Sequence, residues 1–232
     1  GVAIINQLFF VFNLLVFGGM SGAGLFSAQY FGQKNHNGVR NVFRMKILIG
    51  ITIIAISISV MIFLHEPLIN MFLHEGSSSG NIQETFNYAK NYLYIMVIGI
   101  APFVISNCYN TTLKESGQTV VPMKAGVLAV VFDIVLNYIF IFGKLGFPAM
   151  GVVGAAIATV ISRFVECGYL VIYTHIHSND YPFIKYCYRT LKVPGSLVKK
   201  IIVTGAPLML NEFLWAGGLT LQTQALSTKG LA

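Results

Sequence analysis

Asp133 and Asn137 stand four residues apart in VVFDIVLNYIFIFG, Val130 to Gly143, a stretch that is otherwise apolar. On a helix four residues is about one turn, so the carboxylate and the amide face the same way and can share a proton, an ion or a substrate group. A charge near the centre of a bilayer costs at least about 2.5 to 3.5 kcal/mol, so Asp133 requires a partner or a task. Counting outward from the turns that join apolar runs places other polar groups at its depth. From the turn at Gly117 to Pro122, Asn107 and Asp133 each lie about 15 Å away at 1.5 Å per residue. From the turn at Gly146 to Pro148, Thr159 falls between the levels of Asn137 and Asp133, with Arg163 close by. Asn107, Asn110 one turn below it, Asp133, Asn137 and Thr159 are therefore expected to converge on one polar chamber. Two readings of that chamber stay open. Its amides and hydroxyl can serve only as interhelical hydrogen bonds with Arg163 neutralising Asp133, or Glu166 can occupy Arg163 and leave Asp133 free to titrate.

A second acid within an apolar run is Glu212, in GAPLMLNEFLWAGG, followed by Trp215, Gln222 and Gln224. Pro207 frees backbone carbonyls at the start of that run, and an acid beside an aromatic ring and amides suits an apolar cation. The other reading of Glu212 is a partner on a helix outside this sequence. The remaining reactive residues form no catalytic or metal set. His65-Glu66 and His74-Glu75 lack the second His four residues on that a zinc protease helix needs, and His175 with His177 supplies only two ligands. Cys108, Cys167 and Cys187 have no metal spacing and read as packing residues. GGMSGAG, Gly18 to Gly24, follows no strand and lies inside an apolar run, so its small residues are expected to let helices approach rather than to bind nucleotide. No nucleophile with a base stands at one depth, so the chain is not expected to be an enzyme or to hold a metal or organic cofactor.

The elements that must position these groups are membrane spans. Apolar residues make up 55% of the 232 residues and charged residues 10%, against roughly 25% charged in a soluble domain. Six apolar runs are long enough to cross: Val2 to Phe31, Ile47 to Leu64, Tyr88 to Leu113, Val121 to Phe142, Gly151 to Thr174 and Ile201 to Leu226. The net charge of +7 would point to nucleic acid in a soluble protein, but here the basic residues gather in short loops and set orientation instead. The loops at 32–46, 114–124 and 175–200 are expected to be cytoplasmic, whereas Glu66, Glu75 and Glu84 mark an outer loop with a flexible Gly76 to Gly80 cluster. The basic, aromatic segment 175–200 reads as a linker lying amphipathically on the inner leaflet. Because the chain opens inside an apolar run and stops without an evident terminus, it is expected to be part of a longer protein.

Within this frame IVLNYIFIFGKLGFPAMGVVGAAIATVISR, Ile134 to Arg163, closely resembles the fifth and sixth helices of the multidrug and toxic compound extrusion (MATE) transporters. AQYFGQ at Ala28 to Gln33, GQTVVPM at Gly117 to Met123 and GAPLMLNE at Gly205 to Glu212 agree with it. The resemblance implies an all-α polytopic membrane bundle of twelve helices in two six-helix lobes, of which six spans are present. Residues 1–174 would be helices two to six of the N-terminal lobe, 175–200 the cytoplasmic inter-lobe linker, and 201–232 the first helix of the C-terminal lobe. It implies a monomeric antiporter of the plasma membrane that exports small, cationic, amphipathic compounds in exchange for protons or sodium by alternating access. Asp133, Asn137 and Glu212 would couple the ion, and Asn107, Asn110, Thr159 and Trp215 would line the substrate cavity. Some members carry Asn first and Asp second on the fifth helix, the reverse of this order. A flippase of lipid-linked oligosaccharides, from the same superfamily, is the alternative. It would want a basic cavity, and Arg163 is the basic residue that counting places at mid-depth.

Overall fold

The computed structural model describes residues 2–63 and 82–228, whose regular structure is helical with no strand among them. The helices are α1 (Val2–Gly32), α2 (His36–Phe63), α3 (Ile82–Ile98), α4 (Ile100–Glu115), α5 (Val120–Phe142), α6 (Gly151–Ile176) and α7 (Gly195–Thr228), with one 3-10 turn at Cys187–Arg189. Among the described residues four of them, α1 from Phe9 onward, α2, α5 and α6, are each long and apolar enough to cross a membrane; α3 from Lys90 onward and α4, bent by 40° where they join, pass the same test only when taken together. The sixth apolar run lies on α7, where many side chains beyond Leu208 fall outside the described residues. So do His65, Glu66, His74, Glu75 and the Gly76 to Gly80 cluster.

Three features differ from the sequence-based expectation, each for a local reason. The third apolar run is two helices because Pro102 lacks an N–H and its ring would meet the carbonyl four residues back, at Ile98. The chain tightens there, with Gly99 N donating to Met96 O at 3.0 Å. The loop expected at 32–46 is mostly helix. Asn35 caps α2 by accepting from Gly38 N at 2.9 Å, so Arg40, Arg44 and Lys46 ride on its first three turns. The linker, finally, is folded onto the end of the bundle. Arg40 donates to Pro182 O at 3.0 Å, and Arg44 donates to Cys187 O at 2.9 Å and Tyr186 O at 2.8 Å. Tyr181, Phe183, Ile184 and Cys187 are buried in the main apolar cluster, and that burial pushes the Cys187 thiol up to about 11. Lys185, Arg189 and Lys192 stay exposed.

The glycine stretch of α1 is a packing surface. A Cβ on Gly22 would stand 2.4 Å from Gly205 Cα, so α1 and α7 touch backbone to backbone. Two residues on, a Cβ on Gly24 would run into the Glu115 carboxylate, whose Oε2 reaches across to Lys46 at 2.6 Å. Helix α6 lies between α5 on one side and α3 with α4 on the other.

Candidate functional site

The α5–α6 hairpin carries the acid–amide pair. Gly143 ends α5 in the left-handed region (φ 64°), which lets Lys144 N reach Ile139 O at 2.9 Å and turns the chain. Met150 N then donates to Phe140 O at 2.9 Å, and a Cβ on Gly154 would lie 2.8 Å from that same carbonyl. Phe140 and Gly154 thus pin the two helices together. Asp133 lies seven residues before Phe140 and Ser162 eight after Gly154, about 10 and 12 Å along their helices at 1.5 Å per residue, so they arrive at one level.

There the Asp133 carboxylate is held on both oxygens. Asn137 Nδ2 donates to Oδ2 at 3.0 Å and Ser162 Oγ donates to Oδ1 at 3.0 Å. Asp133 is half-buried, and among the described residues no cationic side chain lies within ion-pair distance of it. Ser162 Oγ also lies 2.6 Å from Ala158 O of its own helix. A hydroxyl has one proton, so it can donate to the carboxylate or to the carbonyl but not to both. Beside an ionised Asp133 it serves the carboxylate; beside a protonated one it can accept from the acid and turn its own proton to Ala158. The amide Oδ1 of Asn137 is buried without a hydrogen-bond partner, leaving one further acceptor at the same place.

Among the described residues, the other expected ones do not hydrogen-bond to this pair, and two of them, Glu212 and Trp215, lie on α7, which packs against α1. Asn107 is buried and donates to Phe103 O of its own helix at 2.9 Å, with no hydrogen bond to Asp133. Asn110 lies one turn along α4 with a buried, unpartnered Oδ1. Thr159 is half-buried on α6, three residues before Ser162. Glu212 is half-buried and Trp215 is 56% exposed on α7. Arg163 pairs with neither Asp133 nor Glu166 within 4 Å; its guanidinium stacks over the rings of Phe103 at 4.9 Å and Phe9 at 5.7 Å. Ser162 is the residue that sequence reasoning missed. Counting to equal depth would have found it, since it shares a helix face with Thr159 and lies level with Asp133.

Two apolar concavities lie away from this pair. One, of about 200 Å³, is lined by Gly50, Ile54, Val104 and Tyr109 among others. A larger one, of about 590 Å³, runs between α1, α2 and α7 past Gly19, Ile53 and Ile201.

Comparison with known proteins agrees with this architecture. The chain is 30% identical over 99% of its length to a probable multidrug resistance protein NorM of Thermotoga maritima, covering 47% of that protein. It is 28% identical over 92% of its length to the probable multidrug resistance protein YoeA of Bacillus subtilis, covering 45% of it. A crystal structure of MATE in the bent conformation superposes with a TM-score of 0.73 at 26% identity, over 91% of this chain and 44% of that one. The chain thus spans about half the length of the curated relatives it matches. The MatE family model matches residues 1–139, through α5 to the acid–amide pair, and the chain belongs to the MatE family of membrane transporters.

Proposed function

We propose that this chain is one part of a secondary active antiporter that exports small, cationic, amphipathic compounds in exchange for protons or sodium ions by alternating access. The observation that carries this reading is the state of Asp133: a carboxylate in a membrane-spanning helix, held by two neutral donors and by no cation among the described residues. Such a group accepts a proton or a small cation with little rearrangement. Ser162 and Asn137 supply the neutral partners for either state, because the hydroxyl can turn to Ala158 O and the amide offers a free oxygen.

In this reading residues 1–174 belong to the N-terminal lobe, 175–200 to the linker and 201–232 to the first helix of a second lobe. Asn107, Asn110, Thr159 and Trp215 face the cleft between lobes, where an organic cation binds, and Glu212 is a second ion-coupling acid on the far side. The protein works as a monomer in the plasma membrane with 32–46, 114–124 and 175–200 on the cytoplasmic side. It performs transport and no covalent chemistry.

Efflux of a fluorescent organic cation from cells expressing the full-length protein, with proton and sodium gradients imposed separately, tests the proposal. Export against a concentration gradient driven by one of the two is expected. Export that survives collapse of both gradients would remove ion coupling from the account.

A further inference from the structure

The larger apolar concavity has a floor, two walls and a charged end. Its floor is α1, which meets both neighbours closely: a Cβ on Gly19 would stand 3.2 Å from Ile49 Cγ2, and one on Gly22 would stand 2.4 Å from Gly205 Cα. One wall is α2 from Met45 to Ser57, and the other is α7 from Val198 to Ala206. The lining side chains are apolar except for Thr52 and Ser57, and Thr52 Oγ1 donates to Leu48 O of its own helix at 3.0 Å. The groove therefore suits hydrocarbon and would strand a polar ligand. At the linker end it is closed by Val42, Met45, Leu197 and Ile201, which pack in one buried cluster.

Its dimensions select the occupant. Met45 to Ser57 spans about 18 Å at 1.5 Å per residue, close to the roughly 15 Å of hydrocarbon in one leaflet. A volume of about 590 Å³ over that length is about 33 Å² in cross-section, less than half of what a helix about 10 Å across fills. An extended acyl chain fits this shape and a further membrane-spanning helix does not. Charge then selects the headgroup. Lys199 stands on the Ala206 stripe of α7, seven residues earlier and toward the linker, and Lys200 follows it. Both are exposed, and neither pairs with a carboxylate among the described residues. Lys192 is exposed just before the helix, and no acid occurs from Tyr181 to Asn211.

We infer that this groove binds an anionic phospholipid, with an acyl chain lying over α1 between α2 and α7 and the phosphate at Lys199 and Lys200. Burial of the chain supplies affinity, and the two lysines supply the preference for an anionic headgroup. The lipid joins α7 to α1 and α2 along the leaflet on the linker's side of the membrane. Such binding is independent of ion coupling at Asp133 and takes from the proposed function only that this leaflet is the cytoplasmic one.

The test is native mass spectrometry of the delipidated full-length protein in detergent, titrated with dioleoyl phosphatidylglycerol or dioleoyl phosphatidylcholine. The anionic lipid is expected to bind about tenfold more tightly, since one lysine near an anionic surface contributes about fivefold. Lys199→Gln combined with Lys200→Gln should bring the two lipids within about twofold of each other. Thr52→Trp and Ala206→Phe fill the groove from opposite walls at exposed positions, so each should weaken both lipids about tenfold. Val127→Trp, on the exposed face of α5, should change neither. Equal binding of the two lipids by the wild type would overturn the inference, and so would unchanged binding in whichever filled variant folds. A dimer that a filled variant dissociates would assign the groove to a second copy and overturn it as well. Efflux that survives collapse of both ion gradients, with the lipid preference intact, would remove the antiport reading and leave this site standing.

Discussion

Lys46 enters the helix bundle with no exposed surface, and its ammonium donates to Thr111 at 2.9 Å, Thr112 at 3.2 Å and Glu115 at 2.6 Å. All three of its donors are used, so the buried charge is matched by geometry rather than by water. Removing only the acid strands it. Glu115→Ala is expected to destabilise the protein by about 3 to 5 kcal/mol, whereas Lys46→Met combined with Glu115→Leu should recover most of that loss. Thermal unfolding of the purified variants in detergent checks this, and equal loss in the single and double variants would contradict it. None of this was legible in the sequence, where Lys46 stands with Lys34, Arg40 and Arg44 and reads as one more loop charge. The Asp133–Asn137 contact was legible, because a separation of four is local to one helix. The depth of Ser162 could be counted from the hairpin turn, but that its face of α6 meets α5 depends on how the two helices cross.

At the scale of elements, the approach of α1 to α7 makes an asymmetric prediction. A methyl on Gly22 meets Gly205 Cα at 2.4 Å, but a methyl on Gly205 meets Gly22 Cα at 3.5 Å, an ordinary contact. Gly22→Ala must push the helices apart and is expected to cost about 1 to 3 kcal/mol, while Gly205→Ala should fall near the wild type. Gly126→Ala, with nothing within 4 Å, is the control. Thermal midpoints of the three variants measure it, and similar losses at Gly22 and Gly205 would refute the backbone contact. The packing role of the Gly18 to Gly24 stretch was readable from its apolar setting, though not the helix it packs against. The break before Pro102 is also marked in the sequence by the proline itself, but hydropathy runs straight through IGIAPF and hides it. The early start of α2 was hidden for the opposite reason: hydropathy assigns charged residues to loops, and here a capped helix carries Arg40 and Arg44 to the linker and Lys46 into the bundle.

At the scale of the molecule, the chain spans about half the length of the curated relatives it matches, and α5 presents an apolar face that its own helices leave uncovered among the described residues. Val127, Val130, Ile134 and Tyr138 recur at helical spacing on α5 and are each more than half exposed, while Asp133 and Asn137 turn partly inward toward α6. In the proposed antiporter this puts the Asp133 carboxylate at the boundary between the exposed face of α5 and the hairpin that holds it. The class of fold and its membrane setting followed from composition and apolar run length, since lipid admits so few solutions. The substrate and the coupling ion did not, because they depend on groups brought together from separate helices. Asp133 is the residue on which ion coupling depends in the proposed antiporter. Replacing it by Asn preserves volume and the capacity to hydrogen-bond but removes the exchangeable charge. In the full-length protein, Asp133→Asn is expected to express and fold like the wild type while gradient-driven efflux per folded molecule is abolished; a well-expressed variant with full, gradient-dependent efflux would contradict it.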